Sequence, residues 1–373
     1  MASNNNQLNQ GELTLYSMLI SQNVVPVGVD LAARVFQVCY LTEKQQLKNK
    51  SLSRDAFLNF LKSPPFSKPM LVGFEACGTC NYFARLVKSL GHRYKIMPPS
   101  AIKSFLGLQK SDKIDALGIF RGALCPSIKS IKARDEENQV LMNLLTTREQ
   151  LLKQQTQSLN AQRAMLYELG VVCDAGASSI DTATAKLHDS LNDSQSQALL
   201  YFDMIASSLK HSRDTIGSQL AEIDRLFKEV AKQSRTVQNL MTIPGIGVLS
   251  AITLYAVMGN PNDFPSSRHF ASFAGFAPRN SGSGGEEKVG SIPHTGNKQL
   301  KKTLYMCAVA RLAVQSRKAP EVKAASKLSA LIENPAIKNK KIVCSIANRL
   351  ARVAWSIVKS GEAFNPQKCR LLG

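Results

Sequence analysis

Two short apolar runs, each ending in a carboxylate, frame the first third of the chain. They are Val24-Val25-Pro26-Val27-Gly28-Val29-Asp30 and Met70-Leu71-Val72-Gly73-Phe74-Glu75. Their length and Val/Leu/Phe content suit buried β-strands, and each delivers one acidic side chain to its own end. Val35-Phe36-Gln37-Val38-Cys39-Tyr40 reads as another strand, and Tyr94–Met97 as a short one closed by Pro98-Pro99. Between them, Ala56–Leu61 and Asn81–Leu90 have helical spacing, with a break at Pro64-Pro65. Such alternation predicts one α/β domain over residues 23–125, preceded by a polar, Asn/Gln-rich leader over 1–22.

The pattern then changes. Glu136–Leu169 is long, polar and leucine-spaced, which predicts a helix. Cys173–Ser196, rich in Ser, Ala and Asp, reads as a loop or a helical hairpin tip. In the next helix Phe202, Leu209, Ile216, Ile223 and Val230 recur every seven residues. With these at a, Ile205 and Leu226 take d positions, while Ser212 and Gln219 make the other two d positions polar. This is a coiled-coil pattern over a helical spacer, residues 126–240. It is met equally by dimerisation (a homodimer or homotetramer) and by two helices packing on each other.

From 241 to 373 the chain is glycine-punctuated. Pro244-Gly245-Ile246-Gly247 precedes an apolar helix, Val248–Met258, and a loop covers Asn260–Arg268. A Gly/Ser-rich segment runs from Pro278 to Asn297. Gln299–Val314 and Ile342–Val358 are predicted helices separated by a basic, Ala/Lys-rich linker. The domain reads as mainly helical.

Charge narrows the function. The net charge is +20, and a chain so unbalanced calls for an anionic partner. Basic side chains outnumber acidic ones 15 to 7 in residues 1–125 and 19 to 6 in 241–373, with 13 against 14 between. Two polyanion-facing modules joined by a neutral spacer are expected. No apolar run approaches the roughly 20 residues of a spanning helix, so no membrane partner is expected. The eight cysteines are scattered through a long chain, which predicts a reduced, cytoplasmic protein.

Four acidic residues of the first domain stand at element boundaries: Asp30, Glu75, and the pair in Ser111-Asp112-Lys113-Ile114-Asp115-Ala116. Asp112 and Asp115 share a helix face, so hard oxygen ligands from two strand ends and one helix could hold Mg2+ or Mn2+ beside a scissile phosphate. Alternatively Asp112 is a helix cap and Asp115 a surface charge. Cys77-Gly78-Thr79-Cys80 has redox or zinc spacing but lacks a second pair, which favours packed thiols. Gly245 and Gly247 could offer amides to a DNA phosphate or make a tight turn between helices. Lys113, Arg279, Lys298, Lys301 and Lys302 are candidate phosphate contacts or solvated faces.

In this order, Gly28-Val29-Asp30-Leu31, Phe74-Glu75-Ala76 and Asp112-x-x-Asp115 resemble the RuvC-like, RNase H-type domain of insertion-sequence transposases with a DEDD tetrad, a group that includes the pilin-gene invertases. Ile243–Gly247, Phe273-Ala274-Gly275-Phe276-Ala277-Pro278, Ser283-Gly284-Gly285, Thr295–Leu300 and the helix around Trp355 resemble the same family's second domain. The chain departs from the pattern at Ala33 and at Glu286-Glu287, where basic residues are common. The resemblance implies an α/β plus all-α protein. It implies that Asp30, Glu75, Asp112 and Asp115 bind a divalent metal and that Ser283, or else Ser281, attacks a DNA phosphodiester. It further implies donor and target DNA as substrates and a structured non-coding guide RNA that pairs with both, with action on the bacterial nucleoid. Rival readings are a junction-resolving nuclease that uses water, and a non-catalytic nucleic-acid-binding protein.

Overall fold

The computed structural model describes residues 8–105, 111–191, 197–278, 280–283, 286–316, 334 and 339–369. It divides into two compact units, Met1–Asp135 and Glu136–Gly373. The architecture is mixed α/β and mostly helical, compatible with an RNase H-like N-terminal domain followed by a helical region.

The first unit is built on a five-stranded sheet of order β3-β2-β1-β4-β5. Its strands are β1 (Val25–Asp30), β2 (Val35–Leu41), β3 (Leu47–Ser53), β4 (Met70–Glu75) and β5 (Arg93–Met97). β1, β2 and β3 are antiparallel neighbours, and β1, β4 and β5 run parallel. β1 is apolar on both faces because helices cover both. Phe36, Phe57, Phe74 and Phe83 fill one layer, with Phe36 and Phe57 stacked 5.0 Å apart. The edge strand β3 was not apparent as a strand in the sequence. Its residues, Leu-Lys-Asn-Lys-Ser-Leu-Ser, carry the lysines that protect an open sheet edge and erase the apolar alternation.

Helices α1 (Gln10–Ser21), α2 (Arg54–Lys62), α3 (Cys80–Ser89), α4 (Pro99–Ile102) and α5 (Asp112–Leu124) complete the unit. Much of the expected leader is thus helix α1. Asn9 and Glu12 form a reciprocal capping box at its start. Leu13, Tyr16 and Leu19 pack against the cluster of Cys39, Leu41, Ala116, Leu117, Phe120 and Leu124. Glu12 pairs with Arg121 at 3.0 Å.

The second unit contains α6 (Glu136–Glu168), α7 (Ala177–Leu191), α8 (Gln197–Gln233), α9 (Arg235–Met241), α10 (Val248–Met258), α11 (Ser267–Phe273), the hairpin β6 (Asn280–Ser283) and β7 (Glu286–Val289), α12 (Lys298–Ser316) and α13 (Asn339–Ser360). The stretch expected as a loop or hairpin tip contains α7, held by Ile180, Ala183 and Leu187 against Leu166 and Phe202. On α8 three residues of the seven-spaced row, Phe202, Ile216 and Ile223, are buried, and their buried partners are not the expected ones. The buried partners of Phe202, Ile216 and Ile223 lie four residues on, at Ala206, Leu220 and Phe227, with Arg213 also buried. Ile205 and Leu226 are exposed. The apolar seam of α8 therefore joins the row to the residues four on rather than three on. This seam is filled by α6 of the same chain: Ser158 Oγ donates to Leu209 O at 3.2 Å, and Arg148 forks onto Asp224 at 2.7 and 3.1 Å. Leu141 and Leu145 of α6 join Ile223, Phe227 and the helices from α9 to α13 in one core.

Candidate active site

Parallel pairing fixes the first two acids. Val29 is in register with Phe74, so Asp30 and Glu75 follow each other at the C-terminal ends of adjacent strands. In open α/β sheets that edge is where ligands are met. Asp112 and Asp115 occupy the first turn of α5, whose N-cap is Ser111, accepting from Ile114 N at 3.4 Å. Asp112 is thus not the cap. Both acids lie where the helix dipole favours negative charge.

Helix α5 is seated by two glycines. Gly28 and Gly73 pair across β1 and β4 and leave a Cβ-free track. At Gly28, an added Cβ would stand 2.3 Å from Phe120 N and 2.6 Å from Ala116 O. At Gly73 it would stand 2.9 Å from the Ala123 Cβ. The helix buries Leu117, Ile119, Phe120 and Leu124, each worth about 1.5–3 kcal/mol when fully removed from water. With its middle set on Gly28, its first turn is brought to the end of β1, two residues further on.

Polar anchors hold both ends of α5, and none was apparent from the sequence. Asn49 of β3 donates to Lys113 O at 2.8 Å and itself accepts from buried Gln37, the residue paired with Asp30. At the other end the buried Lys95 ammonium donates to Gly122 O, Ala123 O and Cys125 O at 3.0, 3.2 and 2.6 Å. Desolvation lowers the Lys95 pKa, and the carbonyls at a helix C-terminus are suited to a cation. Lys95→Met should keep the apolar stem, orphan these carbonyls and cost about 1–3 kcal/mol. Urea melts followed by hydrogen exchange over α5 would read this; an unchanged exchange pattern would refute the anchor.

Electrostatics reports the convergence. The Asp30 pKa is raised to about 6, first by burial and then by Asp115, Asp112, Glu75 and Cys77. Glu75 is also raised, by burial, Asp115 and Cys77, with Lys103 opposing. The structure thus gathers Asp30, Glu75, Asp112 and Asp115 in one electrostatic neighbourhood. Among the described residues no three His, Cys, Asp or Glu side chains form a ready cage for an ion. The Cys77 thiol faces this neighbourhood with its pKa pushed down to about 5, chiefly by a hydrogen bond with Cys80. Both cysteines are free.

In the second unit Ser283 ends β6 and pairs with Glu286, and Ser281 pairs with Lys288. A hairpin therefore stands within the Gly/Ser-rich segment of residues 278–297. Arg279, Gly284 and Gly285 lie outside the described residues, as do the side chains of 280–289. The segments flanking the hairpin are clasped by two glycines. Gly275 (φ 80°) and Gly296 (φ 105°) meet so closely that a Cβ on Gly275 would fall 2.4 Å from Thr295 O, and Asn297 N donates to Phe273 O at 3.0 Å. Gly245 (φ 92°) is a packing glycine, since its Cβ would lie 2.9 Å from Cys307 O of α12. Gly247 N-caps α10 in open space. Lys113 and Lys298 are exposed. Lys301 is half-buried, donating to Pro293 O, and exposed Lys302 bridges to Glu149 at 3.0 Å.

A family model described as a transposase matches residues 27–170, the stretch holding all four acids. A second model, the transposase IS116/IS110/IS902 family, matches residues 237–324. The two matches lie in this one chain, in that order, and the similarity extends to insertion-sequence transposases and to pilin gene-inverting proteins. It is 29% identical to the transposase for insertion sequence element IS1328 of Yersinia enterocolitica, over 92% of this chain and 99% of that one. It is 28% identical to the transposase for insertion sequence element IS1111A of Coxiella burnetii, over 91% and 90%. Identity to the pilin gene-inverting protein of Moraxella lacunata is 24%, over 91% and 97%. Among the described residues no helix is long and apolar enough to cross a membrane.

Proposed function

We propose that this chain is a transposase that cuts and rejoins DNA by serine-mediated strand transfer dependent on a divalent cation at the four carboxylates. The observation that carries the metal half is the crowding of Asp30, Glu75, Asp112 and Asp115, which adds to burial in raising the Asp30 pKa to about 6. Like charges are brought together at a cost that a hard cation relieves, and an all-oxygen donor set suits Mg2+ or Mn2+. Bound there, the cation would neutralise charge on a phosphodiester. Asp30 and Glu75 offer oxygens from the rigid strand ends; Asp112 and Asp115 offer them from the first turn of α5.

Ser283 supplies the nucleophile. Its Oγ forms a bond to phosphorus as the bond from phosphorus to the leaving deoxyribose oxygen breaks; the hydroxyl proton passes to solvent and the leaving oxygen takes one from it, so no net proton is lost. The phosphoserine ester keeps the bond energy for rejoining by the reverse exchange. The hairpin around Ser283 supports this role, because the Gly275–Gly296 clasp sets the flanks of a short strand pair rather than of a free loop. The substrates are donor and target DNA, and the guide is a structured RNA encoded beside the gene; the basic composition suits both nucleic acids.

The test uses purified protein, Mg2+ and DNA carrying the element ends. A covalent protein–DNA adduct should appear on denaturing gels, vanish in Ser283→Ala and persist in Ser281→Ala. Cleavage without any adduct would indicate a junction-type nuclease using water. Full activity after Asp112→Asn would remove the metal reading and leave a nucleic-acid-binding protein. Sequencing RNA that copurifies with the protein tests the guide: one discrete flanking transcript supports it, and random fragments oppose it.

A further inference from the structure

Helices α11, α12 and α13 pack together in the second unit and carry Arg268, Lys298, Lys301, Lys302, Arg311, Lys340, Lys341, Arg349, Arg352 and Lys359 without one Asp or Glu. Lys301, Lys302 and Arg311 are engaged: with Pro293 O, with Glu149, and with Gln315 at 3.1 Å. Three arginines are different. Arg352 and Arg349 lie one turn apart on α13, and Arg268 lies on α11, which packs against α13. Among the described residues none of the three has a carboxylate partner. The Arg352 Nε is buried and meets no acceptor. Its pKa is lowered by burial first, then by Arg349 and Arg268, with only the Cys369 thiol opposing.

Gathering guanidinium groups around a half-buried one is unfavourable unless an anion completes the set. Guanidinium forks match the paired oxygens of a phosphate. The neighbouring side chains fix the platform. Asn348, one turn before Arg352, donates to Phe276 O at 3.0 Å, and the Trp355 indole donates to Pro261 O at 2.9 Å. Phe276 follows Gly275 of the clasp that flanks the serine hairpin. This corner of α13 is thereby tied to the base of that hairpin.

We propose that Arg268, Arg349 and Arg352 form a phosphodiester-binding clamp that holds a nucleic-acid backbone beside the base of the serine hairpin. The assignment deepens the strand-transfer reading by naming a backbone contact in the second unit. It concerns binding alone, so its test does not depend on the chemistry.

The experiment measures affinity of the full chain for a 20-base-pair duplex of arbitrary sequence and for an RNA hairpin, at several salt concentrations. Arg349→Gln/Arg352→Gln should weaken binding by about tenfold or more at 0.15 M salt. The slope of log affinity against log salt should fall by about 1 to 2, one phosphate contact per arginine. Arg349→Lys/Arg352→Lys should recover the slope but only part of the affinity, because the charge returns without the fork. Lys153→Gln/Lys232→Gln, removing charge from the long helices, should leave both unchanged. Loss with duplex, with RNA or with both assigns the clamp to that backbone. A glutamine variant that melts like wild type and binds both probes with unaltered affinity and slope overturns the proposal. If the glutamine pair proves unstable, Arg268→Gln, at an exposed position, carries the same slope test.

Discussion

Asp30→Asn is expected to abolish strand transfer while making the metal-free protein more stable at neutral pH. The wild-type carboxyl titrates at about 6 in the folded chain, against an ordinary value of 3.8. The fold therefore favours its protonated form. Its stabilising contribution is fully present below about pH 4 and is lost as pH rises through 6. Above that, a half-buried carboxylate faces the like charges of Asp115, Asp112 and Glu75. Asparagine keeps the shape and carries no charge. Melting curves in EDTA should put the variant close to wild type at pH 4.5 and above it at pH 7.5. Adding Mg2+ at pH 7.5 should raise wild type and leave the variant where it was. Strand transfer should fall by more than about 10^3-fold, the scale of losing a metal's contribution to the transition state. A variant less stable than wild type at pH 7.5 without metal would show that Asp30 is held by partners rather than opposed by neighbours. Retained activity would show that it binds no essential cation.

Stability and function therefore pull against each other at this edge of the sheet. The crowding that on our proposal suits the carboxylates to a cation also opposes the ionised form of Asp30. The anchors on α5 oppose that repulsion. Lys95 grips the helix C-terminus, Asn49 its first turn, and neither touches a carboxylate.

The acids were legible in the sequence because each belongs to a local pattern: an apolar run with a charge at its end, or two aspartates one helical turn apart. The frame around them was not. Asn49 meets Lys113 across 64 residues and Lys95 meets Gly122 across 27, and no periodicity encodes such pairs. Strand β3 was hidden because an edge strand is selected for lysine rather than for burial. The heptad on α8 showed its period but not its frame, since a row seven apart can be completed three residues on or four. Ser212 and Gln219 counted against the first choice, and Ala206, Leu220 and Phe227 settle the second. For the serine hairpin, glycine and serine content marked the segment without its strand pairing, and Gly275 and Gly296 are set by close backbone approach.

Gly28→Ala should be the most damaging single-methyl change in the first unit. Its Cβ would enter at 2.3 Å from Phe120 N and 2.6 Å from both Ala116 O and Phe120 Cα. These are backbone atoms of α5, so no rotamer change relieves the clash. The helix must lift from β1, which carries Asp112 and Asp115 away from Asp30 and opens the layer around Phe120. A cost of about 3 kcal/mol or more is expected, the upper range for overpacking. Two neighbours grade the effect. Gly122→Ala would meet the flexible Met97 Sδ at 3.0 Å and should be milder. Gly78→Ala meets nothing within 4 Å and should stay within about 0.5 kcal/mol of wild type. The chain's single tryptophan, Trp355, lies in the second unit, so its fluorescence monitors that unit alone. Gly28→Ala should leave the tryptophan signal native while hydrogen exchange over residues 112–124 accelerates sharply and divalent-dependent strand transfer disappears. Equal exchange in Gly28→Ala and Gly78→Ala would mean that α5 does not rest on the glycine track, and the placement of Asp112 and Asp115 would fall with it.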